Sequence, residues 1–326
     1  MKKVLFIAMC MTVIMLTACA KETNENGVNE ETNTSVDVQE IKVTFTDDLG
    51  REITVDNPKR VATLLGSFAD MWVLAGGEVY ASPDDAWNDF NLDMPEDAVN
   101  LGQTKSLNLE KLFEAQPDFI IASKNTKIDM EWKETLEKSG IPTAYFDVNN
   151  FEDYLRVFKI FTDITGREEL YEKYGTSIQK EIEDVIAQSK ERVANNGSLK
   201  VLSLRASASY VRAKNSEDNV LGELLKDLGC INIADSEERL LENLSLEYIL
   251  EENPDFIFFV QIGDDKEKVD ATIQTFIDEN PAWKELTAVK EGRVYSMDKM
   301  LYNLKPNAKW AESYEKLERI LSNEQE

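Results

Sequence analysis

Two 16-residue stretches of this 326-residue chain are similar, with seven identical positions: NLEKLFEAQPDFIIAS at Asn108–Ser123 and SLEYILEENPDFIFFV at Ser245–Val260. Each combines an amphipathic segment, a Pro-Asp pair and a run of apolar residues. Because proline cannot continue a helix, we predict a short helix that stops before Pro117 or Pro254, followed in each case by a buried strand. A unit that occurs twice predicts two lobes of similar design, with the loops after the two strands forming opposing walls of one cleft.

Strand-like and helix-like patterns alternate on both sides of one long helical pattern. A hairpin around Asp48-Leu49-Gly50 precedes the first β-α-β-α series, and the long pattern, from Arg167 to Val193, ends at Asn195-Asn196-Gly197. Such alternation predicts α/β lobes with mostly parallel central sheets flanked by helices, joined here by one long α-helix. We predict an N-terminal α/β lobe over 41–165, a connecting helix over 166–197 and a C-terminal α/β lobe over 198–326.

The N-terminus has the pattern of an export signal. MKK is followed by the apolar run VLFIAMCMTVIM, which is short for a membrane span, and then by LTAC at Leu16–Cys19. LTAC looks like a bacterial lipobox, so we predict a lipoprotein signal peptide over 1–18 and lipid attached to Cys19. The alternative is an ordinary signal peptide with a cysteine at its cleavage site. Residues 19–40 are polar and acidic and predict a flexible tether to the extracytoplasmic face of a bacterial membrane.

The composition argues against several classes of protein. The net charge of −26 is unfavourable for nucleic-acid binding. The chain has no histidine, which removes the commonest general base and metal ligand, and it has no G-x-G-x-x-G, Walker A or G-x-S-x-G motif. Beyond Cys19 only Cys230 remains, in an apolar setting typical of a buried hydrophobe. We therefore predict no catalytic residues, no metal site, no resident cofactor and no nucleic-acid partner, and keep an extracellular enzyme or an adhesin as minor alternatives.

The order of the elements resembles one family, the substrate-binding proteins of bacterial ABC importers for ferric siderophores, haem or corrinoids (class III periplasmic binding proteins). The resemblance covers nearly all of residues 41–321. It rests on the two repeated stretches and on three further segments: DDLGREITVDNPKRVATL at 47–64, GCINIAD at 229–235 and PAWKELTAVKEGRVYSMD at 281–298. It implies a monomer that captures an iron complex, most simply a ferric siderophore, and delivers it to a permease and its ATPase. Haem, cobalamin or another bulky cofactor is the alternative cargo.

The strand-end loops supply the candidate ligand contacts. In parallel α/β sheets ligands bind at the carboxyl ends of the strands. The C-terminal loops RASASYVRAK and MDKMLYNLKPN gather cations and aromatic rings in an otherwise acidic chain, which suits an anionic ligand such as a ferric catecholate or carboxylate complex, or the propionates of haem. The predicted ligand-binding residues are Trp87, Arg205, Tyr210, Arg212, Lys214, Tyr302 and Lys305. For Arg212 and Lys214 a solvated strand edge, and for Trp87 a packing role, are the open alternatives.

Two further sets of residues follow from the resemblance and from the haem alternative. Family members present one carboxylate on each lobe to arginines of the permease; the matching positions are Asp70, where the family usually has glutamate, and Glu223. Ordinary surface acids are the alternative for both. Without histidine, haem would need tyrosine or methionine ligands, and Met297 and Met300 are also explained by packing. Haem is therefore ranked below a siderophore.

Overall fold

The computed structural model describes residues 42–217, 219–236, 240–241, 245–263 and 265–323. The predicted signal peptide, the anchor Cys19 and the tether lie outside the described residues, so those predictions stay untested. In the part that is described, no helix is long and apolar enough to cross a membrane.

The N-terminal lobe begins with the predicted hairpin and continues as a parallel sheet. Strands β1 (Lys42–Thr46) and β2 (Glu52–Asp56) pair antiparallel, with Lys42 opposite Asp56. The sheet has the order β5-β4-β3-β6-β7, all parallel. Its strands are β3 Val61–Thr63, β4 Val79–Ser82, β5 Val99–Asn100, β6 Phe119–Ser123 and β7 Thr143–Phe146. Its helices are α1 Gly66–Leu74, α2 Asp85–Asn88, α3 Leu109–Glu114, α4 Lys127–Ser139 and α5 Phe151–Thr165.

The C-terminal lobe has a second, mostly parallel sheet of order β10-β8-β11-β12, and β9 pairs antiparallel with β8. Its strands are β8 Lys200–Ala206, β9 Val211–Lys214, β10 Ile231–Asn232, β11 Phe256–Gln261 and β12 Val294–Met297. Its helices are α8 Val220–Asp227, α9 Leu246–Glu252, α10 Lys266–Asp278, α11 Thr287–Lys290, α12 Lys299–Tyr302 and α13 Trp310–Leu321. Short 3₁₀ turns lie at Ile233–Asp235, Pro281–Glu285 and Asn307–Lys309. The α/β fold class is confirmed.

The repeated stretch forms the same unit in both lobes. Asn108 caps α3 by accepting a hydrogen bond from the backbone N–H of Lys111 at 3.0 Å, and Ser245 caps α9 in the same way through Tyr248. The strands that follow, β6 and β11, each lie between two other strands of their sheet. All five residues of β6 and the first five of β11 are buried. The prediction of a short capped helix followed by a buried strand is confirmed at both places.

The connecting helix is long, as predicted, but it is not a uniform α-helix. It consists of α6 (Glu168–Tyr171), a π-helical turn at Glu172–Thr176 and α7 (Ser177–Asn196). In a π turn the hydrogen-bond ladder is interrupted, and the hydroxyl of Tyr154 donates to the carbonyl of Tyr174 at 2.9 Å. The helix ends at Gly197, whose φ of 82° a glycine adopts without strain.

The two lobes share a hydrophobic core. A single cluster of buried residues contains Phe68 and Phe146 from the N-terminal lobe together with Phe258 and Tyr314 from the C-terminal lobe. The described residues accordingly form one compact unit. Both sheets are distinct, but no break in packing marks a boundary between the lobes, and the residue limits given above for the domains stay predictions.

Candidate functional site

The N-terminal wall of the candidate cleft is made by loops at the carboxyl ends of β3, β4, β6 and β7. Asp85, at the start of α2, accepts hydrogen bonds from the backbone N–H of Gly66 through both carboxylate oxygens, at 3.0 Å each. Glycine is required at position 66, because a Cβ there would lie 2.7 Å from the Asp85 carboxyl carbon. Burial raises the pKa of Asp85 to about 6, against the opposing effect of the Gly66 N–H.

Asp129, in the first turn of α4, is a second carboxylate near the carboxyl ends of these strands, and it is fully buried. Its Oδ2 accepts from the backbone N–H of Ser123 at 2.7 Å, whereas its Oδ1 has no hydrogen-bond partner among the described residues. Burial raises the pKa of Asp129 to about 7, although the Ser123 N–H and the positive charge of Lys305 act in the opposite direction. Asp147, after β7, has a pKa that burial also raises.

The C-terminal wall has the opposite charge. Arg205 of β8 lies directly opposite Arg212 of β9 in the antiparallel ladder, and the Arg212 guanidinium lies 4.9 Å from the centre of the Tyr210 ring. The guanidinium groups of Arg205 and Arg212 make no hydrogen bond or ion pair with another described residue. Like charges directly opposite each other destabilise a ladder, and burial lowers the pKa of Arg205. An anion between the two guanidinium groups would relieve both effects.

These residues line a cavity of about 310 Å³. Lys214 and Glu217 contribute to the same walls. A neighbouring cavity of about 300 Å³ lies at the carboxyl ends of β11 and β12 and is lined by Lys266 and Lys299 among others. Both lysines there have carboxylate partners, Asp270 at 2.9 Å and Asp89 at 2.6 Å. Of the two cavities, the one between β8 and β9 therefore contains two guanidinium groups without an ion-pair partner among the described residues, those of Arg205 and Arg212.

Lys305 enters from the C-terminal lobe and faces the acidic wall. Its ammonium lies 5.2 Å from the centre of the Phe68 ring on α1. Burial lowers the pKa of Lys305, and the carboxylates of Asp147, Asp129, Asp153 and Asp85 partly offset this effect. No described carboxylate lies within 4 Å of the ammonium, and no described residue forms a hydrogen bond with it, so Lys305 is a half-buried cation whose donors are available.

The structure divides the predicted ligand-binding residues into three groups. Arg205, Tyr210, Arg212 and Lys214 come together at one cavity, and Lys305 lies at the junction of the lobes.

The remaining two predicted contacts pack against the protein itself. Trp87 of α2 is half-buried against the shared core. Tyr302 is only 4% exposed, and its hydroxyl donates to the carbonyl of Ser313 at 3.2 Å. Its burial leaves little of the ring for a ligand.

The two predicted docking carboxylates have different surroundings. Asp70 on α1 accepts a hydrogen bond from the Asn307 side chain at 2.7 Å, and burial raises its pKa. Asp70 thus contacts the C-terminal lobe of its own chain. Glu223 lies half-buried in the first turn of α8, whose N-terminus is capped by Asn219 through the N–H of Gly222 at 2.9 Å.

Other features of the described chain do not form a better site. A cavity of about 640 Å³ lies between α7 and α13. Its walls are helical, and two of the side chains in them, Arg192 and Glu318, form an ion pair with each other at 2.7 Å. No group of three or more His, Cys, Asp or Glu among the described residues is arranged to hold a metal ion.

Sequence reasoning missed Asp129 and Asn307. Both are fully buried, and their partners, Ser123 in one case and Ser67 and Asp70 in the other, are set by tertiary contacts rather than by spacing in the sequence.

Two α/β sheets joined by one long helix, with charged side chains at the carboxyl ends of their strands, are typical of a two-lobed binding protein. The chain belongs to the periplasmic binding protein family, whose family model matches residues 61–301. This is a family of binding proteins rather than of enzymes.

Two relatives from Bacillus subtilis (strain 168) match almost the whole chain. The iron-uptake system-binding protein is 26% identical over 302 residues, which cover 90% of each chain. The putative ABC transporter substrate-binding lipoprotein YhfQ is 25% identical over 320 residues, covering 94% of this chain and 93% of that one. Among solved structures, Staphylococcus aureus SirA complexed with staphyloferrin B superposes with a TM-score of 0.64 at 24% identity, covering 86% of this chain and 97% of that one. The structural match confirms the fold.

Proposed function

We propose that this protein captures an anionic iron complex, most simply a ferric siderophore, in the cleft between its lobes and delivers it to an ABC importer. The observation that carries the proposal is the set of three cations without ion-pair partners among the described residues: Arg205, Arg212 and Lys305. In a chain of net charge −26, carboxylates to pair with them are abundant. The iron-uptake and ABC-transporter relatives support both the cargo class and the importer.

The physical argument is one of charge compensation. A cation that is partly removed from water loses hydration free energy, and it recovers that loss only through an opposite charge with good hydrogen-bond geometry. Arginine suits carboxylate and catecholate oxygens because its planar guanidinium donates two parallel hydrogen bonds. The carboxylates of Asp85 and Asp129 accept backbone N–H groups, and their charges partly offset the effect of burial on Lys305 without forming an ion pair with it.

The same proposal includes location and partners. A lipid on Cys19 would hold the protein on the extracytoplasmic face of the membrane, as the lipoprotein name of one relative supports. A permease and its ATPase would receive the cargo from a monomeric binding protein. The iron enters only as part of the cargo, so the proposal needs no resident cofactor and no catalytic step.

Haem or cobalamin is the weaker cargo. Haem iron needs an axial ligand, and the chain contains no histidine. Met297 is 3% exposed and packs in the core. The two propionates of haem would also pair with Arg205 and Arg212, so haem ranks lower because of its missing axial ligand and not because of the charge of the cavity.

Substitution of one cleft arginine tests the proposal. We expect Arg205→Met to weaken binding of an anionic ferric complex by roughly 10- to 100-fold, because a charge-assisted hydrogen bond contributes about 1.5–3 kcal/mol. Tryptophan fluorescence of the purified protein, titrated with ferric citrate, a ferric catecholate, a neutral ferric trihydroxamate and haem, measures this affinity.

Arg319→Met on the exposed side of α13 is the matched control and should leave every affinity unchanged. The proposal is wrong if no ferric complex quenches the fluorescence, or if Arg205→Met binds the anionic complexes as tightly as the wild-type protein.

A further inference from the structure

Residues 299–310 belong to the C-terminal lobe and lie against the N-terminal lobe, and we call them the crossing segment. Contacts at its two ends attach it to the N-terminal lobe. The Lys299 ammonium pairs with the Asp89 carboxylate at 2.6 Å, and the Trp310 ring meets the Phe151 ring edge-on with centroids 6.1 Å apart. The lobes are therefore connected at a second place besides the long helix.

Asn307 fixes the middle of the crossing segment. It is fully buried, and its φ of 52° lies in the left-handed region that asparagine tolerates better than most residues. Its side-chain nitrogen donates to the carbonyl of Ser67 at 2.8 Å and to the carboxylate of Asp70 at 2.7 Å. An amide nitrogen has two hydrogens, and Asn307 donates both to acceptors on α1 of the N-terminal lobe.

Lys305 lies two residues before Asn307 and contacts the same helix. Its ammonium lies 5.2 Å from the ring of Phe68, which follows Ser67 on α1. A lysine side chain loses up to about 2 kcal/mol of conformational entropy when it is held in one place. A backbone that is anchored next to it reduces the number of positions that the ammonium can reach.

We propose that Asn307 is a positioning residue for cargo binding, which holds the crossing segment on α1 so that the Lys305 ammonium faces the cleft. Asp70 is the acceptor that completes this anchor. The inference rests on the proposed function, because it takes Lys305 to be a cation that contacts the cargo. It also gives Asp70 a role inside its own chain, whether or not a permease arginine binds there.

A double-substitution cycle tests whether Asn307 acts through Lys305. Asn307→Gly removes the amide but keeps a backbone that accepts positive φ. Titrated with ferric citrate, Asn307→Gly and Lys305→Met should each lower the affinity several-fold. The combined variant should bind no more weakly than Lys305→Met alone, since Asn307 has nothing left to position. Independent effects that multiply in the double variant would overturn the inference, and so would an unchanged affinity in either single variant.

Two matched substitutions of Asp70 provide a second test of the inference. Asp70→Asn keeps an oxygen that accepts the Asn307 hydrogen bond, so ferric citrate should bind this variant nearly as tightly as the wild-type protein. Asp70→Ala removes the acceptor and should weaken binding to the level of Asn307→Gly. Equal affinity in Asp70→Ala and wild-type protein would show that Asp70 takes no part in positioning.

Hydrogen exchange of the ligand-free protein separates this inference from the proposed function. Asn307→Gly should speed amide exchange in the crossing segment, including the Lys309 N–H that donates to the Pro306 carbonyl at 2.9 Å. Asn323→Gly is the control, because Asn323 also has a positive φ, of 55°, but is exposed. Unchanged exchange in Asn307→Gly overturns the inference even if ferric citrate binds. If no ferric complex binds, the proposed function fails, while the exchange result still decides whether Asn307 anchors the segment.

Discussion

At the scale of single residues, Asp129 has the clearest chemical consequence. It has no exposed surface, one carboxylate oxygen accepts the Ser123 N–H, and burial raises its pKa from the ordinary 3.8 to about 7. Because the folded-state pKa is above the unfolded value, the folded protein keeps this proton through a range of pH in which the unfolded chain releases it. Raising the pH from about 4 to about 7 therefore destabilises the wild-type protein through this residue.

Asp129→Asn should remove that pH dependence. The asparagine oxygen still accepts the Ser123 N–H, and no charge appears as the pH rises. In urea unfolding, we expect the free energy of unfolding of the variant, relative to wild type, to increase by roughly 2–4 kcal/mol between pH 4 and pH 8. Asp85 and Lys305 are present in both proteins; the charge of Asp85 raises the pKa of Asp129, and that of Lys305 lowers it. Parallel stability profiles would contradict the prediction.

The residues of the site differ in how far the sequence could reveal them. Arg205, Tyr210 and Arg212 were predictable because cations at a strand end are conspicuous in an acidic chain. The roles of Asp129 and Asn307 were not, since each depends on burial and on a partner from another element. Tyr302 shows the opposite limitation. Its place in a strand-end loop suggested a ligand contact, but in the folded protein its hydroxyl donates to the carbonyl of Ser313.

At the scale of elements, the connecting helix departs from the pattern that its sequence predicts. Apolar spacing of three and four residues predicts a continuous helix, and the π turn at Glu172–Thr176 lies within it. Gly175 lies in this turn, and a Cβ there would be 3.2 Å from the Leu155 side chain, so the close packing of the turn favours glycine. β9 lies in a segment predicted as a strand-end loop; a strand edge was only the alternative for Arg212 and Lys214, because four residues are too few to establish an alternating pattern.

The Tyr154 hydrogen bond to the π turn should stabilise this element. Tyr154→Phe keeps the ring, which is fully buried, and removes the hydroxyl that donates to the Tyr174 carbonyl at 2.9 Å. We expect urea unfolding to show a loss of about 1–3 kcal/mol, the cost of an unsatisfied buried acceptor. Tyr80→Phe is the control and should change stability little, because the Tyr80 hydroxyl makes an exposed contact with Glu78 at 3.3 Å. Equal effects of the two substitutions would refute this assignment.

At the scale of the whole molecule, two connections and a shared core oppose large lobe movements. The α/β rhythm of the sequence predicted the two lobes and the helix between them. It did not predict the second connection, because Lys299 and Asp89 lie far apart in the chain and are brought together only by the fold.

Lobe closure on cargo binding should therefore be small. Small-angle scattering and a pair of fluorophores, one on each lobe, should report a rotation below roughly 10° when ferric citrate is added, because a helix and a packed core allow small sliding motions more readily than hinge bending. Asn307→Gly, which loosens one connection, should widen the distribution of interlobe distances. A large closure in the wild-type protein would show that the shared core separates on binding.

If the protein is exported as proposed, the contact between Trp310 and Phe151 also bears on how it reaches its native state. Phe151 belongs to the first half of the chain, whereas Trp310 begins the last helix. Contacts between distant parts of a chain form late, because the intervening loop must close first. The N-terminal lobe therefore cannot complete its core until nearly the whole polypeptide has emerged on the far side of the membrane. During that interval its aromatic surface stays exposed, which makes an extracytoplasmic chaperone or rapid translocation an advantage for this architecture.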